Sequence, residues 1–190
     1  CEVIARVDHL DVFVHRDHGI GLPTCTFAPG ATERRLDLDW RPVPSNEDDI
    51  RVLILPSGPA DELETANLMF VHAISRAEER IWIASPYFVP DDAIVKAMML
   101  ATLRGVDVRV LVPAKGDSKP VQMAGYYFME LLEESRVNFC EWGPGFMHQK
   151  VMLVDDRTSV IGTHNFDNRS IRLTFEVTAL IYDEGFNLDL

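Results

Sequence analysis

The spacing of apolar residues changes character near residue 50. Residues 3–14 alternate weakly between apolar and polar positions, as a half-buried strand would. Gly19, Gly21, Pro23, Pro29 and Gly30 then interrupt any period, and residues 41–46 (RPVPSN) read as a linker. Residues 1–49 are therefore taken as an irregular N-terminal segment or linker, and residues 50–190 as the folded domain. His9, His15 and His18 in the first part fit no standard metal-ligand spacing and are expected to be solvent-exposed.

From residue 50 the elements follow one another clearly. Residues 50–55 (IRVLIL) are branched enough for a strand, and 56–59 (PSGP) turn out of it. Over 61–80, Leu63, Ala66, Phe70, Ile74 and Ala77 recur every three or four residues and predict a helix with one apolar stripe. Residues 81–84 form a second strand, ended by Pro86 and Pro90. Asp91 and Asp92 open a second helix, where carboxylates cap free amides and meet the positive end of the helix dipole. That helix runs to about Arg104 and stops at Gly105. Residues 106–112 (VDVRVLV) are a third strand, so a right-handed βαβ crossover and a parallel strand pair are expected. A third helix spans 120–134, with Met123, Tyr127, Phe128 and Leu131 read as its apolar side, and 137–142 make a fourth strand. Residues 146–176 then read strand, turn, strand, loop, strand, with no internal repeat anywhere. The fold class is α/β: a mixed sheet flanked by helices, its site at the carboxyl ends of strands.

Composition narrows the function classes. The net charge of −12 argues against a protein that tracks nucleic-acid phosphates, while leaving room for a small basic pocket. No apolar run reaches the roughly 18 residues that span a bilayer, so this stretch is expected to be soluble. Three widely spaced cysteines (Cys1, Cys25, Cys140) form neither a disulfide framework nor a CxxC pair, which favours a reducing, cytoplasm-facing setting. The missing initial Met and signal peptide suggest a piece of a longer protein.

The chemistry is concentrated in residues 146–176. His148 and Lys150, two apart in an expected strand, would share one face. Taken singly, each residue has an ordinary explanation: a His beside a Lys fits a solvated sheet edge, and Asp155 after a strand fits a turn. Together, His148, Lys150, Asp155, Gly162, Thr163 and Asn165 spell HxKxxxxDxxxxxxG(S/T)xN, a gapped pattern unlikely to arise by chance. It resembles the signature of the phospholipase D superfamily, whose members are called HKD enzymes. The segments 84–92, 104–110, 145–156, 165–170 and 175–176 further resemble the carboxy-terminal half of bacterial cardiolipin synthases, over roughly residues 50–183.

Phosphodiester chemistry suits these side chains. A histidine can attack phosphorus or protonate a leaving oxygen. Lys150 supplies a cation, and Thr163 and Asn165 supply neutral donors, to phosphate oxygens that gain charge in the transition state. No metal or other cofactor is required. The resemblance implies an acidic residue on a later strand that orients the imidazole, and Glu176 occupies the matching segment; the competing reading makes Glu176 a cross-strand partner of an arginine such as Arg172. Asp155 belongs to the motif and is a catalytic candidate with His148, Lys150 and Glu176, though support of its loop or pairing with a basic neighbour is the better-fitting role. Glu176 is expected within hydrogen-bond reach of His148, with Lys150 and Asn165 directed into one cavity.

The family uses two HKD motifs, and this chain carries one. The resemblance therefore implies half of a longer enzyme or a protomer that completes its site at a two-fold interface. The first hypothesis is phosphatidyl transfer between two phosphatidylglycerols through a phospho-histidine, giving cardiolipin and glycerol. Its partners would be the phospholipid, a membrane surface met through the membrane-associated parent, and a second HKD half or a second copy, with no nucleic acid. Phe88, Phe146 and Met147 are candidates for an acyl-chain entrance, or for ordinary core packing. The alternatives are a phosphodiesterase that passes the same intermediate to water, and a catalytically silent domain. The residues leave open whether His148 is nucleophile or general acid.

Overall fold

Seven segments, all but the fourth rich in branched residues, supply the body of one sheet: β3 (Ile50–Ser57), β4 (Arg80–Ala84), β6 (Asp107–Pro113), β7 (Asn138–Trp142), β8 (Val151–Val154), β9 (Thr158–Gly162) and β11 (Glu176–Tyr182). The computed structural model describes residues 2–7, 10–14, 50–145 and 147–190. His9, His15, His18, the 41–46 run and Phe146 lie outside the described residues. Two further strands, β1 (Glu2–Val7) and β2 (Leu10–Val14), make an antiparallel pair whose second member runs parallel to β3. The full order is β1-β2-β3-β11-β9-β8-β4-β6-β7, nine strands in all. β4, β6 and β7 are parallel, whereas β3, β11, β9, β8 and β4 alternate in direction. The sheet is therefore mixed, as the sequence pattern indicates. A separate parallel pair joins β5 (Phe88–Val89) to β10 (Phe166–Asp167).

The helices are α1 (Thr65–Arg76), α2 (Asp92–Leu103), α3 (Lys119–Glu133), α4 (Asn168–Arg172) and α5 (Glu184–Leu188). Among the described residues none is long and apolar enough to cross a membrane. The core lies where α1 and α2 cover the central strands. Phe70 and Ile74 of α1 and Ile94 and Met98 of α2 meet Ile81, Ile83, Val108, Val110 and Met152, all nearly inaccessible to solvent. The expected crossover is present as β4–α2–β6, with Ile81 opposite Val108. Asp91 caps α2 by accepting from the Ile94 amide at 3.0 Å. Gly105, one residue past the Arg104 cap, takes φ +91° and lets the Val106 amide return to the Ala101 carbonyl.

Two helix predictions need correction. The first helix is shorter at both ends than 61–80. At its start, the Asp61 carboxylate accepts from the Leu63 and Thr65 amides and the Thr65 hydroxyl. This local turn competes with helix, and Glu64 sits in the left-handed region at φ 50°. At the other end, Ala77 is extended, and the amides of Glu78, Glu79 and Arg80 turn to the carboxylate of Asp155 at 2.8–3.2 Å. In α3, Met123 and Tyr127 are exposed, while Gly125 and Leu132 are buried and Phe128, Met129 and Leu131 pack on the core. Phe128 and Leu131 thus face inward, but the stripe they belong to continues through Gly125 and Leu132, away from the 123/127 side.

The β8–β9 turn is built around Asp155, at φ 51°. Beyond its three amide contacts, its own amide donates to the Arg80 carbonyl and its carbonyl accepts from Arg80 Nε. Replacing Asp155 with Ala removes charged acceptors and places a β-carbon residue without a compensating side chain in the left-handed region. The expected loss is about 3 kcal/mol of unfolding free energy, with Asp155→Asn intermediate. Urea denaturation of the three proteins checks this, and a loss below about 0.5 kcal/mol for Asp155→Ala would contradict it.

Candidate functional site

The motif residues reach one end of the sheet because of strand direction. β9 ends at Gly162, β8 begins at Val151 and β11 begins at Glu176, so Thr163–Asn165, His148–Lys150 and Glu176 all lie at the same end. The carboxyl ends of the parallel strands β4 and β6 are also there, carrying Ser85 and Tyr87 on one side and Asp117 and Ser118 on the other. Asp155 follows β8 and lies at the opposite end. The structure does not bring Asp155 to the other motif residues; it gives Asp155 the turn just described.

His148 and Lys150 sit just before β8 rather than within a strand. The Lys150 carbonyl joins the ladder, accepting from the Gly162 amide at 3.2 Å. His148 is exposed, and its carbonyl accepts from Lys150 Nζ at 3.0 Å. Lys150 is half-buried; desolvation pulls its ammonium below the ordinary value, while the charges of Glu176, Asp167 and Asp117 act in the opposite sense.

The loop after β9 is stapled to β11. The Thr163 amide donates to the Val177 carbonyl at 2.9 Å, and the Val177 amide donates to Thr163 Oγ1 at 3.0 Å. Asn165 donates through Nδ2 to Ser170 Oγ at 3.0 Å, and its Oδ1 is buried without a partner among the described residues. Asp167 caps α4 by accepting from the Ser170 amide at 2.6 Å. Ser85, fully buried, accepts from the Phe166 amide and donates to the Tyr87 carbonyl, tying this loop to the end of β4. Glu176 is half-buried and accepts from Thr174 Oγ1 at 2.7 Å. Arg172 pairs with Glu64 and Asp91, so the reading of Glu176 as its partner is set aside.

Asn165 and Glu176 line one cleft of about 660 Å³ together with Tyr87, Asp167, Arg169 and Thr174. Its other wall is apolar, formed by Val89, Pro120, Val121 and Ala124. Lys150 lines a neighbouring cavity of about 10 Å³ with Gly162, His164 and Thr178. At the cleft's polar edge the Tyr87 hydroxyl donates to Asp117, and this bond raises the phenol above its ordinary value. Phe88 and Met147 are not entrance residues: both are buried, Phe88 between Phe139 and Phe166. Exposed apolar side chains instead occur at Met123 and Tyr127 of α3 and at Leu173 and Phe175 before β11.

The sequence pattern overlooks His164. It is 2% exposed, with Nε2 2.7 Å from Ser57 Oγ and Nδ1 2.6 Å from Thr178 Oγ1. Burial lowers its pKa against the opposing pull of Glu176 and Asp167. Polar residues at inward-facing positions of two strands, Ser57 and Thr178, were the available signal for a buried polar partner.

A mixed sheet presenting one HxK segment, a GTxN loop and a carboxylate at the carboxyl ends of its parallel strands defines a phospholipase D-like domain. Residues 70–190 match the family described as cardiolipin synthase, PLD-like domain, and the chain belongs to that family. It is 52% identical over 132 residues to cardiolipin synthase A of Pseudomonas putida F1, covering 70% of this chain and 28% of that protein. It is 50% identical over 140 residues to cardiolipin synthase A of Pseudomonas fluorescens SBW25, covering 74% and 29%. The chain thus spans under a third of these curated relatives. In fold it is similar to the phospholipase D family member Nuc of Salmonella typhimurium, with TM-score 0.61 and 22% identity over 73% of this chain and 88% of that one. It is also similar in fold to phosphatidylserine synthase of Haemophilus influenzae Rd KW20, with TM-score 0.57 and 22% identity over 73% and 37%.

His164 makes stability depend on pH. Its folded pKa lies below the ordinary 6.5, so the fold prefers the neutral ring. Its contribution is complete above pH 6.5 and is lost as pH falls from there toward the folded pKa. Urea unfolding between pH 7.5 and 5 should therefore show a decline that His164→Gln lacks; parallel declines in the two proteins would contradict this assignment.

Proposed function

We propose that this domain carries one half of a phosphatidyl-transfer site of the cardiolipin synthase type, with phosphatidylglycerol as donor and acceptor. The observation that carries the reading is the gathering of His148, Lys150, Thr163, Asn165 and Glu176 at one end of the sheet, beside a cleft with one polar and one apolar wall. In the first half-reaction a ring nitrogen of His148 attacks phosphorus. A P–N bond forms as the P–O bond to the headgroup glycerol breaks, and the leaving oxygen takes a proton from a histidine of a second motif. In the second half-reaction the hydroxyl of another phosphatidylglycerol attacks the phospho-histidine, gives up its proton to that second histidine, and cardiolipin leaves as the P–N bond breaks. The two histidines exchange roles if His148 serves as the acid.

Lys150 neutralises the phosphoryl oxygens. The charges of Glu176, Asp167 and Asp117 oppose the desolvation that lowers its pKa, and a charged donor is worth about twice a neutral one. Glu176 is assigned to hold the second nitrogen of the His148 ring, which fixes its tautomer. Asn165 contributes from the cleft side, and Thr163 mainly anchors the loop, since its hydroxyl already accepts from the Val177 amide. Asp155 is assigned a structural role. The membrane surface is met through the substrate, and the second motif comes from the remainder of a longer chain or from a second copy.

The reading is tested by mixing the chain with phosphatidylglycerol vesicles over a range of protein concentrations. Cardiolipin and glycerol should form, with specific activity rising with concentration as two copies complete a site. His148→Ala should lower turnover by about 10²–10⁴-fold. Phosphatidic acid alone would make water the acceptor, and no turnover by folded protein at any concentration would exclude a site completed by a second copy of this chain.

A further inference from the structure

We propose that His164 is a positioning residue for the phosphate site: clamped between Ser57 and Thr178, it sets the separation of Asn165 and Glu176. The inference rests on the phosphate-site reading, but it is argued from geometry that reading does not use.

His164 joins three segments. Ser57 ends β3, His164 lies in the loop after β9, and Thr178 lies near the start of β11. Ser57 is the cross-strand partner of Glu176. Thr178 is two residues from Glu176, so alternation puts both side chains on the same face of β11. Asn165 follows His164 directly. The imidazole therefore bonds to the nearest polar neighbours of Glu176 on both strands, while its own backbone carries Asn165. Ser57, Thr178 and His164 are all at most 5% exposed.

A neutral imidazole suits this position chemically. One ring nitrogen donates and the other accepts, and each hydroxyl can do either, so the chain Ser57–His164–Thr178 is satisfied in both directions. Phe70 stands edge-on to the ring at 6.0 Å and closes the apolar side. A phenyl group would fill the space but strand two buried hydroxyls. The charged groups that bear on the ring are Glu176, Asp167 and, in the same small cavity, Lys150. The hydroxyls fix the ring by direction as well as by volume, and the loop cannot slide along β11 without breaking both bonds. A shift of 1 Å in Asn165 or Glu176 would be enough to reduce phosphate stabilisation on the order of a hundredfold.

The test compares His164→Phe, His164→Gln and Thr178→Val with the parent chain by NMR and urea unfolding, using inorganic phosphate as the probe. His164→Phe should displace and broaden the Asn165 side-chain amide signals and weaken phosphate binding on the order of tenfold or more. His164→Gln, which keeps a donor and an acceptor, should recover most of that binding, and Thr178→Val should fall between them. Unchanged Asn165 signals and phosphate affinity in His164→Phe or in Thr178→Val, whatever their stability, would overturn the proposal. So would a glutamine variant no better than phenylalanine. If His164→Phe does not fold, Thr178→Val and the glutamine variant decide. A parent chain that does not bind phosphate would refute the phosphate-site reading instead, and the Asn165 signals would still report whether His164 positions the loop.

Discussion

Gly162 has no room for a side chain. A Cβ there would lie 2.4 Å from the Val177 carbonyl oxygen and 2.6 Å from Thr178 Oγ1. β9 and β11 therefore approach more closely at this point than any larger residue allows, and the site depends on that approach. It lets Thr163 exchange two hydrogen bonds with Val177, and it brings His164 within reach of Thr178. Glu176, at the start of the same strand, is thereby set beside the loop that bears Asn165. This close approach accounts for the small residue in the GTxN motif.

The electrostatics of the site differ from those of the whole molecule. A chain of net charge −12 repels anions at long range, yet the candidate phosphate site contains a lysine on which the charges of Glu176, Asp167 and Asp117 act. Those charges oppose the desolvation that lowers its pKa. They also offset its field toward bulk solvent, where charges are screened beyond about 8–10 Å. The cation then acts mainly over contact distances.

Local periodicity made much of the fold readable. The strands at 50–55, 81–84, 106–112 and 137–142, the helix capped by Asp91 and the parallel crossover all follow from apolar spacing and end signals within one segment. The departures have long-range causes. α1 stops early because Asp155, about 75 residues downstream, takes the amides that would have continued past it. The His148–Lys150 segment leads into β8 and is tied to β9 through the bond from the Gly162 amide to the Lys150 carbonyl, a partner remote from local periodicity. Met123 and Tyr127 lie on a second helix face, which spacing alone does not separate from the inward one. In the site, the gapped motif marked the residues that meet at one sheet end. It also included Asp155, whose place in the pattern reflects a turn at the far end of β8. It passed over His164, which occupies an unspecified motif position and whose partners, Ser57 and Thr178, are remote in sequence.

The opposite ends of β8 show how a contiguous motif can serve two purposes. The strand is four residues long, so Lys150 and Asp155 are fixed about 16 Å apart by extended-chain geometry. No side-chain rotation closes that distance. Lys150 works at the end where the cleft opens, among side chains from β9 and β11. Asp155 works at the other end, where its carboxylate gathers the amides leading into β4 and so sets the height of β4 against β8. That register in turn places Ser85, whose hydroxyl anchors the Phe166 amide next to Asn165. The aspartate thus reaches the site through a strand and one buried serine. Its effect on chemistry passes through the stability and register of the sheet, whereas that of His164 passes through two hydrogen bonds at the loop itself.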